Sequence, residues 1–152
     1  MRNSEIAQIL FEISEYLDME EIPFKPRAYE KAATTIADLE VEVGDIYKES
    51  GLKSLEGIPG VGKSIALTIE ELIKKGKSKY HESLRKETPV KLGELTRIEG
   101  LGPKMIKRLH EELGIKNLND LERTAKAGKI RALDGFGEKT EENILDGIRF
   151  QR

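Results

Sequence analysis

The sequence contains no cysteine and no tryptophan, and its 152 residues include only two histidines, His81 and His110. Disulfide bonds and thiolate metal sites are therefore excluded, and the histidines lie too far apart to suggest a metal-binding motif. No segment reaches the ~20 apolar residues of a membrane span, and the opening MRNSEIAQIL lacks the apolar core of a signal peptide. We expect a monomeric cytoplasmic protein without a membrane partner, with both histidines at its surface.

An excess of basic residues, which is common in nucleic-acid-binding proteins, is also absent, since the net charge is −2. The charges are unevenly distributed, however. Residues 1–50 contain five Lys or Arg and twelve Asp or Glu, which gives −7. Residues 51–152 contain 21 Lys or Arg and 16 Asp or Glu, which gives +5. The overall charge therefore does not exclude an anionic partner for the second part of the chain.

Sustained alternation of apolar and polar residues, which indicates β-strands, is missing as well. Apolar residues instead recur at helical spacing over residues 6–17, behind a predicted cap at Asn3 or Ser4. The segment IPFKPRAYEKAATTIADL predicts a second helix, with Pro26 suited to its first turn. Further along, helix caps are predicted at Thr88-Pro89 and Asn117, and helix ends at Gly114 and Gly128. The sequence predicts an all-α fold.

One unit occurs three times: IPGVGKSIALTIEELI from Ile58, IEGLGPKMIKRLHEEL from Ile98 and LDGFGEKTEENILDGI from Leu133. Each unit has an aliphatic residue two positions before its first glycine, and a helical pattern resumes directly after its second glycine. Apolar residues follow that second glycine at the seventh and eleventh positions: Ile69, Leu109 and Ile144, then Ile73, Leu113 and Ile148. The repeat predicts three equivalent helix-hairpin-helix elements in tandem.

The glycine turns of these units are suited to binding a phosphate. Glycine permits positive φ and close approach of the backbone, and the first amides of a helix have no intrahelical partner and favour an anion. A single Gly-x-Gly is usually only a turn between helices, but three copies in register, each with a lysine, favour phosphate binding without base reading. The predicted DNA-binding residues are Gly60, Gly62, Lys63, Gly100, Gly102, Lys104, Gly135, Gly137 and Lys139.

A nucleotide-hydrolysing enzyme is not indicated. No predicted strand precedes any of the glycine turns, and GVGKS lacks the four-residue spacing of a Walker loop. No Asp-x-Asp pair for two-metal polymerase chemistry occurs in the chain.

The ordered motifs resemble the N-terminal region of the bacterial and archaeal family X DNA polymerases. LEGIPGVGKSIA is similar to the first hairpin of the family's lyase-type domain, and FKPRAYEKAATTIA to the helix bearing its aromatic-lysine-tyrosine-lysine cluster. IEGLGPKMIKRLHEELGIKNLNDL and then FGEKTEENIL resemble the following hairpins. The resemblance implies a lyase-type domain over residues 1–86, a unit with the second and third hairpins over residues 87–152, and a role in gap filling during base excision repair.

The resemblance also implies roles for individual residues. Lys25, Tyr29 and Lys31 would flank a pocket for a 5′ phosphate, and Phe24 would stack on a base. The alternative is that Phe24 and Tyr29 are core aromatics. The family's Schiff-base lysine falls six residues after the second glycine of the first hairpin, where this sequence has Thr68.

Three functions remain open at this stage. The first is a DNA-binding module for gapped or nicked duplexes, the second a deoxyribose-phosphate lyase that uses another lysine, and the third a protein-binding scaffold. No catalytic residue or metal ligand is predicted. The only cofactor considered for this chain is a monovalent cation at a hairpin, and magnesium is expected only for a polymerase domain, which the family would place after Arg152.

Overall fold

The computed structural model describes all 152 residues, and its ten α-helices without any strand confirm the all-α fold. The first five helices are α1 (Asn3–Met19), α2 (Lys25–Asp38), α3 (Val43–Ser50), α4 (Leu52–Glu56) and α5 (Lys63–Lys75). The remaining five are α6 (Lys79–Glu87), α7 (Leu92–Leu95), α8 (Pro103–Leu113), α9 (Leu118–Lys126) and α10 (Gly137–Gln151). None of them combines the length and the apolar composition that crossing a bilayer requires.

The chain divides into two compact units, Met1–Glu87 and Thr88–Arg152. In the first unit, α1 and α2 form the most extensive helix pair. Helix α1 contributes fully buried residues three or four positions apart, and α2 contributes two alanines beside larger side chains. Small residues on α2 leave room for the side chains of α1. The core of this pair consists of Ile6, Leu10, Ile13, Ala32, Ala33 and Ile36.

The predicted cap of α1 at Asn3 or Ser4 is wrong. The helix begins one residue earlier, with Arg2 as N-cap, and Asn3 is buried within the first turn. The Asn3 Oδ1 accepts a 2.7 Å hydrogen bond from the Val43 amide, and its Nδ2 donates a 2.8 Å bond to the Val41 carbonyl. Asn3 therefore joins the start of α1 to the connection between α2 and α3 instead of satisfying its own helix.

The expectation that His81 lies at the surface is also wrong. His81 is only 7% exposed because α6 packs against α1. The His81 Nε2 lies 3.1 Å from the Glu12 Oε1, and its ring centroid is 6.2 Å from that of Tyr16. The hydrogen bond with His81 lowers the pKa of the Glu12 carboxyl despite its partial burial. His110, in contrast, is half-buried near the end of α8.

The helix limits of the second unit follow local signals in most places. The Asn117 side chain accepts a 2.8 Å bond from the Asp120 amide, as predicted for a cap, and Gly114 ends α8 with φ +69°. Gly128, with φ +73°, follows the end of α9. Thr88-Pro89 does not cap a helix, because α7 begins only at Leu92.

A buried carboxylate organises the segment before the third hairpin. Glu141 on α10 is fully buried, and its two oxygens accept bonds of 2.9 Å and 2.8 Å from the Arg131 amide and the Arg131 Nε. Burial by itself raises the pKa of Glu141, but the hydrogen bonds from Arg131 outweigh it, so the net pKa lies below the usual 4.5. The exposed Glu138 Oε1 lies 3.7 Å from the same guanidinium.

We predict that Gly147→Ala destabilises the second unit, although alanine favours a helix. A Cβ at Gly147 would lie only 2.9 Å from the Ile98 Cγ2, which belongs to a stiff β-branched side chain. Overpacking costs about 1–3 kcal/mol, which exceeds the gain of about 1 kcal/mol in helix propensity. Gly44→Ala is the matched control: it lies within α3 with nothing within 4 Å, so it should stabilise slightly. Chemical denaturation measures both, and a stabilised Gly147→Ala protein would contradict the packing.

We also predict that Glu141→Gln lowers the unfolding free energy near pH 7 by about 1–3 kcal/mol, because the buried carboxylate and its charge-assisted hydrogen bonds are lost. Since folding lowers the pKa of Glu141, its contribution is complete above pH 4.5 and is lost as the pH falls further. The difference in unfolding free energy between the unmodified protein and Glu141→Gln should therefore become smaller below pH 4.5. Glu138→Gln removes an exposed partner of Arg131 and should cost less than about 1 kcal/mol. Denaturation curves near pH 7 and below pH 4.5 test this prediction. An equal effect of Glu141→Gln and Glu138→Gln would disprove the role of Glu141.

Candidate nucleic-acid interface

Each glycine turn is closed by the same backbone hydrogen bond. The amides of Val61, Leu101 and Phe136 donate to carbonyls three residues earlier, those of Ile58, Ile98 and Leu133, at 3.0, 3.0 and 3.1 Å. The third residue of each β-turn is a glycine with φ between +84° and +86°: Gly60, Gly100 and Gly135. Residues other than glycine rarely adopt that backbone conformation, so the turn itself explains the first glycine of each repeat.

The first two hairpins continue in the same way. Gly62 and Gly102 are extended and act as N-caps of α5 and α8, and neither helix has a side-chain cap. The first backbone bonds to these caps come from Ala66 and Ile106. The amides of residues 63–65 and 104–105 therefore have no intrahelical partner. Both helix starts can bind an anion through main-chain donors.

The third hairpin departs from the predicted equivalence. Phe136 takes the N-cap position of α10 with helical ψ, and Gly137 is already the first helical residue, with φ +77°. The Asp134 carbonyl accepts a 2.7 Å bond from the Arg108 Nη1, and the Arg108 guanidinium carbon lies 5.2 Å from the Phe136 ring centroid. Arg108 on α8 thus occupies one face of this turn.

The apolar positions of the repeat support the hairpins as predicted in most cases. The residues at the seventh position, Ile69, Leu109 and Ile144, are all buried, and so are the anchors Ile58 and Ile98. Leu133 is only half-buried, which matches the different third hairpin. At the eleventh position Ile148 is buried, but Ile73 and Leu113 are half-buried.

The lysines beside the hairpins differ in their surroundings. Lys63, Lys104 and Lys139 are all exposed, as a phosphate contact requires. Pro59 follows the anchor in the first turn, whereas Glu99 and Asp134 occupy that position in the other two. The first hairpin therefore lacks the carboxylate that the other two carry within the turn.

Phe24 is not a core aromatic. Phe24 is 88% exposed, and its φ of +66° is unusual for a residue other than glycine. The Lys25 amide donates a 2.8 Å bond to the Pro23 carbonyl, so Phe24 is the centre of a strained γ-turn directly before α2. Pro26 lies in the first turn of α2, as predicted. The turn places a large apolar ring in solvent at the start of the helix.

Tyr29, in contrast, is a core residue that is only 4% exposed. Its hydroxyl lies 3.3 Å from the Thr68 Oγ1, and its ring centroid is 6.1 Å from that of Tyr80. The Lys25 Nζ lies 6.0 Å from the Tyr80 centroid. Burial raises the pKa of Tyr80. The structure thus brings Lys25 and Tyr29 against Tyr80, which the sequence analysis did not single out, and Thr68 against the Tyr29 hydroxyl.

Lys31 belongs to a different neighbourhood. Its Cγ, Cδ and Cε lie 3.3–3.6 Å from the point where a side chain at Gly60 would begin. Lys31 therefore extends along the first hairpin, while Tyr29 on the same helix points into the core. No group of three or more His, Asp or Glu side chains is arranged to hold a metal ion.

Two residues near the candidate interface were missed by the sequence reasoning. Tyr80 lies in a polar helix without any motif, so nothing in the sequence marked it. Arg108 stands at the sixth position after Gly102, on a predicted helix, but its contact is with a turn 26 residues further along the chain. Both contacts are tertiary.

Comparisons with known proteins match this geometry. A family described as "Helix-hairpin-helix domain" matches residues 1–78, and one described as "SAM-like Helix-hairpin-helix tandem" matches residues 92–149. The chain is 37% identical to the DNA polymerase/3'-5' exonuclease PolX of Bacillus subtilis, over 97% of its own length and 25% of that protein. It is 33% identical to a DNA nucleotidylexotransferase of Ambystoma mexicanum, over 66% of the chain and 19% of that protein.

A DNA ligase of Phocaeicola vulgatus is 28% identical, over 76% of this chain and 21% of the ligase. The chain thus spans a quarter or less of the length of these relatives. The family matches confirm the tandem helix-hairpin-helix prediction, and the PolX match confirms the resemblance drawn from the sequence. The chain belongs to the helix-hairpin-helix domain family and corresponds to the helix-hairpin-helix region of a family X DNA polymerase.

Proposed function

We propose that this chain binds the sugar-phosphate backbone of DNA without reading the base sequence. The observation that carries the proposal is the geometry shared by the first two hairpins: a glycine turn, an extended glycine, and a helix start with unpaired amides and an exposed lysine. Main-chain amides donate to phosphate oxygens equally well beside any base. The family membership and the polymerase relative support DNA as the ligand.

The third hairpin has a smaller part in this proposal. Gly135, Gly137 and Lys139 remain candidate contacts, but Asp134 and Glu138 place two carboxylates beside them. Arg108 already bonds to the Asp134 carbonyl. We assign the larger share of the affinity to Gly60, Gly100 and their neighbours.

The exposed ring of Phe24 fits a stacking contact with a base at a gap or nick. A strained backbone that holds an apolar ring in solvent has an energetic cost of about 1–3 kcal/mol, which a bound base would offset through stacking of similar size. We therefore propose a gapped or nicked duplex as the preferred DNA, bound by a monomer in the cytoplasm during repair. A gap-filling polymerase is the enzyme in which such a region would act. For this region itself, we propose a monovalent cation at a hairpin as the one cofactor.

The lyase alternative has less support. Thr68 stands where the family has its nucleophilic lysine, and it is buried beside the Tyr29 hydroxyl. Attack on the sugar aldehyde needs a neutral amine, which threonine does not have. Lys63 is exposed at the start of α5 and does not share the buried position of Thr68.

We predict that Gly60→Val and Gly100→Val each weaken binding to a gapped duplex about ten-fold, because valine disfavours the positive φ that orients the amides. Gly76→Val and Gly114→Val are matched controls. These glycines also have positive φ, and like Gly100 they have no neighbour within 4 Å of an added Cβ, but they end α5 and α8, the helices that start at the hairpins. Fluorescence anisotropy with folded proteins measures the affinities. Equal losses in the hairpin and control variants would contradict the hairpin assignment.

The salt dependence of the same binding should be modest, with a log-log slope of roughly −2 to −4, because only a few phosphates are neutralised. Two gapped duplexes of scrambled sequence should bind with nearly equal affinity. A strong preference for one of them would contradict backbone recognition.

We further predict that the unmodified protein forms no Schiff base with DNA bearing a 5′-deoxyribose phosphate, and that Thr68→Lys gains one. Burial at this position would lower the pKa of an introduced lysine from about 10.4 and favour its neutral amine. Borohydride trapping followed by gel electrophoresis measures the adduct. Thr68→Met has a similar length without an amine and should remain untrapped. Efficient trapping of the unmodified protein would instead favour the lyase function.

A further inference from the structure

A second cationic surface lies on α2 beside the first hairpin. Arg27, Lys31, Thr34 and Thr35 are spaced by four, three and one residues, which places them on one face of the helix. Together with Glu30 they line an open concavity of about 490 Å³. We call these five residues the α2 concavity. Its size suits a phosphate group with part of its hydration shell.

Three of the hydrogen-bond donors in the α2 concavity have no partner within the protein. Arg27 and Lys31 are exposed and form no ion pair within 4 Å, and the half-buried Thr35 hydroxyl has no hydrogen-bond partner. The Thr34 hydroxyl, by contrast, donates to the Glu30 carbonyl at 3.1 Å. One guanidinium, one ammonium and one hydroxyl are therefore available to an anion, and Glu30 supplies the single opposing charge.

Lys31 connects this surface to the first hairpin. Its aliphatic carbons lie against Gly60, so its ammonium is held near the turn that is proposed to bind a phosphate. Successive phosphates of one DNA strand rise only about 3.4 Å along the helix axis. A strand bound at the first hairpin therefore brings its neighbouring phosphate within reach of a long cationic side chain on α2.

We propose that the α2 concavity binds a second phosphate of the DNA strand that the first hairpin holds, through Arg27, Lys31 and Thr35. This inference rests on the proposed DNA-backbone binding and extends it to a surface without a glycine turn. Two cations against one carboxylate favour an anion over a metal ion. The contact adds a side-chain clamp beside the main-chain site, and it gives α2 a role in binding that is independent of Phe24 and Lys25 at its N-terminus.

The test uses opposite charge changes in the whole chain. Arg27→Met should weaken binding to a gapped duplex about three- to ten-fold and reduce the magnitude of the log-log salt slope by about 0.9, the value for one lost phosphate contact. Arg27→Lys should keep the slope. Glu30→Gln should tighten binding about two- to three-fold, because an opposing carboxylate is removed. Lys75→Met, at the far end of α5, is the control for loss of an exposed cation and should leave the salt slope unchanged.

Unchanged affinity and slope in both Arg27→Met and Glu30→Gln would overturn the proposal. If Gly100→Val, which has no neighbour within 4 Å and so leaves Lys31 in place, still weakened binding in that case, backbone binding by the hairpins would remain and only the α2 concavity would fail. A failure of the hairpins themselves would appear as normal binding by Gly100→Val. Gapped duplexes with a 5′ phosphate or a 5′ hydroxyl identify the source of the bound group. Equal effects on both indicate an internal phosphodiester, whereas an effect confined to the former indicates the terminal phosphate.

Discussion

The requirement for positive φ at one residue before a helix start determines the form of both intact hairpins. Because Gly60 and Gly100 turn the chain in this way, the next residue can bury its side chain, and the second glycine can begin a helix without any side-chain cap. The helix amides remain unpaired only because no capping side chain competes for them. A site made of main-chain donors follows directly from this backbone constraint. The buried residues of α5 and α8 then hold the helix starts in place.

The third hairpin shows how much the flanking residues add to the glycine pattern. Its turn has the same hydrogen bond and the same positive φ at Gly135, yet Gly137 also has positive φ and the helix begins there. Arg108 reaches this turn from α8, and the buried Glu141 carboxylate fixes the chain just before it by accepting hydrogen bonds from Arg131. Identical spacing of glycines therefore does not guarantee an identical anion site. The surrounding contacts decide which amides are presented to solvent.

The sequence predicted the features that depend on local geometry. The all-α fold, the Asn117 cap, the end of α8 at Gly114 and the turns at Gly60 and Gly100 all depend on residues within a few positions of one another. Two of the predictions that were wrong concern contacts between distant segments. Asn3 looked like a cap but bonds to residues 41 and 43, and His81 looked exposed but pairs with Glu12, 69 residues away. Tyr80 packs against Tyr29, 51 positions earlier in the chain, and no local sequence pattern indicates that contact.

The hydrogen bonds of Asn3 have a consequence for the kinetics of folding. Its side chain joins the first turn of α1 to a residue 40 positions later, so these bonds form only after a long loop has closed. Closing such a loop orders much of the chain between its ends before the contact contributes any stability. The beginning of α1 therefore belongs to a non-local part of the structure, although it is the first segment of the chain. During synthesis, the Asn3 side chain acquires these partners only once α2 has emerged and packed against α1.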